Sequence, residues 1–316
     1  MNARLAILCP GQGGQHAGMF DLARGDAKAA AFLDACGLDQ LLAQPLAEVL
    51  GNENLLFANR QAQPLLVAAQ LALWQALASP ISDVFGQPAL VAGYSIGELA
   101  SYGVAGVLQP LPAVRMAAQR AQLMDEAQAC GGDPDQTLMS VGGMLLEEAQ
   151  AILNARHAHL AIQTAEDSLV AGGARQALQA AEPLLQAAGA RTGWLPVSIA
   201  SHTPLMQAAQ APFLHLLAQA DLQAPSLPLL AGVTAQIVTN AQQAEDLLAQ
   251  QLSHPILWSA CMDACAEHGI TVALELGPGS ALSRMLRERH PHIECRSVSD
   301  FRSVQGALSW LQRQCD

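Results

Sequence analysis

The sequence predicts an α/β fold: a large core of mainly parallel sheet covered by helices, interrupted by a small α+β subdomain. Two patterns carry this. Short apolar runs alternate with longer segments of helical period along most of the chain, as strands joined by crossover helices do. Between about residues 131 and 196 the order becomes β-α-β-β-α-β, the split β-α-β arrangement of a ferredoxin-like lobe. A third observation concerns function. The apolar run before Gly93 ends in Gly93-Tyr94-Ser95-Ile96-Gly97, and a helical segment follows at once.

The elements follow in order. Arg4–Cys9 reads as a strand closed by Pro10-Gly11. Gln61–Ala78 is a long apolar helix, and Ala89–Gly93 a strand feeding a helix over Ile96–Val104. Pro112–Ala129 is helical. Cys130-Gly131-Gly132-Asp133-Pro134 reads as a linker into the lobe. There, Gln136–Val141 is a strand, Leu145–Ala155 a helix, Leu160–Thr164 and Ser168–Ala171 strands, Arg175–Ala188 a helix and Arg191–Pro196 a strand. Beyond it, Thr271–Leu276 is a strand stopped by Gly277-Pro278-Gly279, Ser280–Arg289 a helix, Ile293–Val298 a strand and Val304–Gln314 a helix. The expected large subdomain is therefore 1–130 with 197–316, and the lobe 131–196.

The 316 residues are 51% hydrophobic and only 13% charged, enough apolar material for a sizeable core. The formal net charge is −12 and Lys28 is the only lysine, so a nucleic-acid partner is not expected. No apolar run is read as a membrane span, and too few apolar residues precede Pro10 for a signal peptide. Seven cysteines without paired C-x-x-C spacing point to reduced thiols and a cytoplasmic protein.

A serine hydroxyl needs exposure, a base and a site for the oxyanion before it can act as a nucleophile. A strand-Gly-x-Ser-x-Gly-helix turn exposes Ser95 and brings the Ile96 N–H to a helix start. The competing reading is an ordinary turn with Ser95 as a helix cap. Of nine histidines, His202 stands out as a base, because it follows the extended LPVSIAS segment and precedes Thr203-Pro204. No Asp or Glu is an obvious partner for it, which leaves a backbone carbonyl to orient the ring. Gly11-Gln12-Gly13-Gly14-Gln15 lacks the final glycine of a dinucleotide fingerprint and suits a loop offering Gln12 to an oxyanion, or a plain turn. Cys261, Cys265 and His268 share one helical face, but two core thiols and a rim histidine explain them better than a metal. Arg284, Arg287 and Arg289 form a basic cluster that suits either phosphates or a solvated helix end.

Six motifs in order resemble the malonyl-CoA:acyl carrier protein transacylase family nearly end to end. They are Pro10-Gly-Gln-Gly-Gly-Gln15, Gly93-Tyr-Ser-Ile-Gly-Glu98, the Arg120/Met124 helix segment, PVSIASHTPLM from Pro196, QLSHPILW from Gln251, and LELGPG at 274–279. The resemblance implies a hydrolase-like α/β core with a ferredoxin-like insert. It implies malonyl transfer through an ester on Ser95 with His202 as base, an oxyanion hole at Gln12 and Ile96, and Arg120 on the malonyl carboxylate. Met124 is a supporting residue, the carbonyl of the 253–254 segment (Ser253, His254) orients His202, and Arg191 contacts the carrier or CoA. No permanent cofactor is implied. The substrate is malonyl-CoA and the acceptor is the thiol of a phosphopantetheine-type or dephospho-CoA-derived group on an acyl carrier protein. Tyr94, Asp167 and His254 depart from the fatty-acid enzymes. Tyr94 most resembles the malonate decarboxylase transacylase subunit, which implies other decarboxylase subunits as partners. The alternatives are the transacylase of fatty-acid or polyketide synthesis and a serine thioesterase or hydrolase.

Overall fold

A computed structural model describes residues 3–131, 133 and 135–315. Five parallel strands form the central sheet in the order β10-β9-β1-β2-β7, with β1 Leu5–Cys9, β2 Leu90–Gly93, β7 Leu229–Leu230, β9 Val272–Glu275 and β10 Glu294–Ser297. β1 lies in the middle, and all five of its residues are buried. Leu5, Ile7 and Cys9 enter one core while Ala6 and Leu8 enter another. Both faces of the strand are therefore covered, which is why its sequence is an unbroken apolar run and not an alternating one.

One face carries the larger core. It draws on α1 Asp21–Arg24, α2 Ala27–Cys36, α3 Leu38–Leu41, α4 Leu46–Gly51, α5 Glu53–Phe57, α6 Asn59–Phe85, α7 Gly97–Val104 and α8 Pro110–Cys130, and on the later helices that carry Phe213, Leu248 and Trp310. α6 begins earlier than predicted and runs through Pro80, because Leu77 and Ile81 on either side of the proline are locked in the core and outweigh its helix-breaking tendency. Among the described residues α6 alone is long and apolar enough to cross a membrane, with mean hydropathy 1.4, yet 72% of that window is buried within the protein. The expectation that no segment reaches such a length is corrected, and the core supplies the reason for its apolarity. The short helices over 21–57 were not predicted.

The second sheet has the order β6-β3-β5-β4-β8. Within it, β3 Gln136–Gly142, α9 Leu146–Asn154, β4 His159–Gln163, β5 Ser168–Ala174, α10 Arg175–Ala187 and β6 Arg191–Trp194 follow the predicted β-α-β-β-α-β order, and the strand pairs among them are antiparallel. α9 and α10 cover one face of this sheet. Leu138, Ile162 and Val170 on the other face join the core of the central sheet. The second sheet does not stop at residue 196: β8 Ile256–Leu257 pairs parallel with β4. Residues 132 and 134 of the predicted linker lie outside the described residues. The remaining helices are α11 Gln207–Ala218, α12 Ala241–Gln250, α13 Trp258–Glu267, α14 Ala281–Arg289 and α15 Val304–Gln312.

Candidate active site

Ser95 stands at the carboxyl end of β2, directly before α7. Its φ of 55° places it in the left-handed region. The turn is tight because both glycines admit backbone where a side chain would sit. A Cβ on Gly93 would lie 2.2 Å from the Glu98 Cα, and one on Gly97 would lie 2.0 Å from the Cys9 carbonyl oxygen. The second contact presses the start of α7 against the end of β1, and so carries Ser95 over the edge of the central sheet.

The Ser95 hydroxyl lies 2.7 Å from His202 Nε2. His202 Nδ1 lies 2.6 Å from the Gln251 carbonyl oxygen. A carbonyl only accepts, so Nδ1 carries the proton and Nε2 is free to accept from Ser95. His202 is completely buried. Burial, then the Arg120 charge, lowers its pKa to about 3 despite the opposing bond to Gln251, so the ring is neutral in ordinary buffers. No carboxylate completes a triad: the third member is a backbone carbonyl, as the sequence left open. It belongs to Gln251 and not to the 253–254 segment. His254 is exposed, and its Nδ1 lies 3.0 Å from the Gln250 carbonyl, so its expected supporting role is corrected. The segment turns away from the site after Gln251, because Gln251 and Leu252 are already engaged with the His202 ring and N–H.

Arg120, on α8, is 1% exposed. Nη1 donates to Gln63 Oε1 at 2.7 Å and Nη2 to Gln251 Oε1 at 2.8 Å, while Nε has no partner among the described residues. Burial lowers its pKa to about 10, with Glu98 opposing, so the guanidinium remains charged near neutrality. Both of its partners are neutral amides. No carboxylate bonds to it directly: Glu98 acts on it from beyond Gln251, so the guanidinium keeps donor capacity for an incoming anion. Met124 packs beneath this arrangement, its sulfur 3.3 Å from Gln63 Nε2.

Ser95, Gln12, Arg120 and Met124 line one cleft, and Leu138, Ile162 and Val170 of the second sheet lie on its apolar side. The buried Gln12 Oε1 has no partner among the described residues. Ile96 is buried as the N-cap of α7. Tyr94 lines the cleft and packs edge-on against Trp258 with ring centroids 5.3 Å apart.

Other sequence candidates fall elsewhere. Arg191 is exposed on edge strand β6, away from the cleft. Asp167 sits in the β4–β5 turn, where its carbonyl accepts from Gly143 N–H at 2.8 Å. The arginine cluster does not act as one patch, since Arg289 is bound by Asp263 and Glu166, each at 2.6 Å. Cys261 and Cys265 are buried thiols on α13, both pushed up by burial, and His268 caps the helix end. Three site residues were not anticipated: Gln63, Glu98 as a side chain, and the Gln251 side chain. Their one legible signal was polarity in otherwise apolar, buried segments.

The acyl transferase domain family matches residues 7–306. The malonyl CoA-acyl carrier protein transacylase of Mycobacterium tuberculosis is 33% identical over 300 residues, covering 93% of this chain and 96% of its own. The Escherichia coli K12 protein of the same name is 29% identical over 317 residues, covering 96% and 99%. Among solved structures, the Mycobacterium tuberculosis transacylase superposes with a TM-score of 0.87 at 30% identity, over 98% of this chain and 99% of that one. A malonyl-transacylase in complex with its type II polyketide acyl carrier protein superposes at 0.88 with 27% identity, over 97% and 99%. With a serine–histidine pair at the elbow and the family matched across nearly the whole length, this chain belongs to the acyl transferase domain family.

Proposed function

We propose that this chain is a malonyl-CoA:acyl carrier protein malonyltransferase working through an ester on Ser95. The observation that carries the reading is the buried Arg120, bonded to two amide oxygens, in the same cleft as Ser95, whose hydroxyl meets His202. A guanidinium there selects acyl groups with a terminal carboxylate. In the first half-reaction His202 Nε2 takes the Ser95 proton as Oγ attacks the thioester carbonyl. The N–H groups of Gln12 and Ile96 receive the oxyanion, and CoA leaves as the thiol with that proton. In the second, the carrier's phosphopantetheine-type thiol gives its proton to His202 and attacks the ester, and Ser95 recovers the proton. Malonyl-CoA and the carrier are substrates, and no permanent cofactor takes part. Arg191, exposed on an edge strand, is offered as a contact for carrier or CoA. We read residues 131–196 as a ferredoxin-like lobe set into a catalytic subdomain of 1–130 and 197–316. The seven cysteines, none in C-x-x-C spacing, suit the cytoplasm.

The relatives named above favour a transacylase of fatty-acid or polyketide synthesis over the narrower malonate decarboxylase subunit. The latter rests on Tyr94, whose packing against Trp258 bears on the cleft wall and not on the acceptor. Charging assays separate these readings. Arg120→Ala is expected to lower kcat/KM for malonyl-CoA by about 10²–10³-fold, the cost of losing a charged hydrogen-bonded partner, and to spare acetyl-CoA. Equal losses would refute the carboxylate role. Faster charging of a malonate decarboxylase carrier than of a fatty-acid carrier would restore the narrower reading.

A further inference from the structure

We infer that Glu98 is a positioning residue whose ionised carboxylate locks the Gln251 side-chain amide in the single orientation that bonds both the Ser95 carbonyl and Arg120, on the residue whose main-chain carbonyl holds His202. This rests on reading Ser95 and His202 as nucleophile and base. It does not depend on which acyl group they carry.

Glu98 lies in the first turn of α7 and is wholly buried. Its Oε1 accepts from the Gly232 N–H at 3.2 Å, and its Oε2 accepts from Gln251 Nε2 at 2.7 Å. Gln251 Nε2 also donates to the Ser95 carbonyl at 2.8 Å, and Gln251 Oε1 accepts from Arg120. The main-chain carbonyl of the same residue holds His202 Nδ1. If the amide turned over, its NH₂ would face the guanidinium and its oxygen would face the Ser95 carbonyl and the Glu98 carboxylate. Each contact would then pair like with like. Two acceptor oxygens on Glu98 meet two donors, Gly232 and Gln251. An ionised carboxylate is an acceptor on both oxygens. A protonated acid or an amide turns one of them into a donor, and a donor then faces a donor.

Packing alone does not call for a carboxylate here, because burying one costs free energy that an apolar side chain avoids. The charged and titratable groups around Glu98 are Arg120 from α8, Tyr102 on α7, Cys261 on α13 and His202 beyond Gln251. Burial raises Tyr102 and Cys261, so both stay neutral near neutrality, and Arg120 stays charged. Burial raises Glu98 to about 7, against the bonds from Gln251 and Gly232 and the charge of Arg120. With His202 lowered to about 3, Glu98 is the group of this cluster that changes charge in neutral buffers. A raised carboxylate is ionised above its pKa, so the working arrangement is present at higher pH and is lost as pH falls through about 7.

The test is the rate at which a fluorophosphonate labels Ser95 in the full chain as pH is varied. In that step Oγ–P forms, P–F breaks, fluoride leaves and His202 takes the proton, so no acyl donor is needed. The wild-type rate is expected to rise with pH through about 7 and then level off. Glu98→Gln is expected to be slower by about tenfold, as for one lost buried hydrogen bond, with a flat profile. Glu98→Asp, which keeps a carboxylate, is expected to retain a pH-dependent limb. Nitrogen-15 NMR of the wild-type His202 ring is expected to show it neutral across the limb, a reading that stands even where a variant does not fold. A flat wild-type profile, a Glu98→Gln variant that keeps the wild-type limb, or a His202 ring that itself titrates there would overturn the inference. Labelling with this profile, but without any malonyl transfer, would leave the Glu98 inference standing and overturn only the malonyl reading.

Discussion

Gln251 bonds to the base, to the backbone of the nucleophile and to the arginine of the proposed chemistry. Its carbonyl holds the base, its amide nitrogen holds the Ser95 carbonyl and Glu98, and its amide oxygen holds Arg120. Ser95 and His202 were legible in the sequence because a nucleophile elbow and a loop histidine after an extended segment are local features, whereas Arg120 was legible only through the resemblance to a family motif. Gln251 was not, although it heads a quoted motif. Which carbonyl of a short turn faces a ring from residue 202 is a tertiary fact with no spacing rule behind it. The strained backbone at Ser95 leads to a prediction at this scale. Ser95→Gly and Ser95→Ala both lose the bond to His202, but only glycine adopts a φ near 55° without penalty. Ser95→Gly is expected to be the more stable of the two by about 1 kcal/mol in denaturant unfolding. The opposite order would mean that the turn relaxes when the hydroxyl is gone.

At the scale of elements, the elbow depends on α7 starting against the end of β1. Gly97→Ala puts a Cβ into the Cys9 and Pro10 carbonyls, both backbone atoms that cannot swing aside. The expected cost is about 3 kcal/mol, with loss of Ser95 labelling in whatever protein remains folded. A variant that unfolds at the wild-type denaturant midpoint would show that the two elements are less tightly joined than the contact implies. The strands that lead into this contact were readable, since β1 and β2 are continuous apolar runs closed by Pro10 and Gly93. The two-residue strands β7 and β8 were not, because pairs such as Ile256-Leu257 carry no periodicity and become strands only through their neighbours. α6 runs past its expected end at Ala78 and through Pro80, a breaker in isolation, because the residues flanking the proline are held by the core.

For the whole molecule, the position of the second sheet over the first sets the width of the cleft, since Leu138, Ile162 and Val170 face Ser95 and Arg120 across it. Besides β8, one cluster of charges ties the two together. The Arg289 guanidinium on α14 lies between Asp263 of α13 and Glu166 of the β4–β5 turn, with His290 Nε2 also 2.9 Å from Asp263. The bonds from Arg289 hold the Glu166 and Asp263 carboxyls below their usual range. A lowered carboxylate contributes its stability above its unfolded pKa and loses it as pH falls, so this contribution disappears only in acid. Glu166 is largely exposed, so Glu166→Gln is expected to cost at most about 1 kcal/mol overall. Its effect should instead be faster amide hydrogen exchange in β4 and β5, more so at low salt where the wild-type ion pair is strongest. Exchange unchanged from wild type would show that β8 and the apolar core alone hold the second sheet in place.

The central claim is that Ser95 carries the acyl group. Intact-mass measurement after brief exposure to malonyl-CoA tests it most directly. The wild-type chain is expected to carry a single malonyl adduct, discharged by a carrier thiol and missing from Ser95→Ala. An adduct that persists in Ser95→Ala, or a wild-type chain that charges the carrier under conditions where no adduct forms at any time, would contradict it.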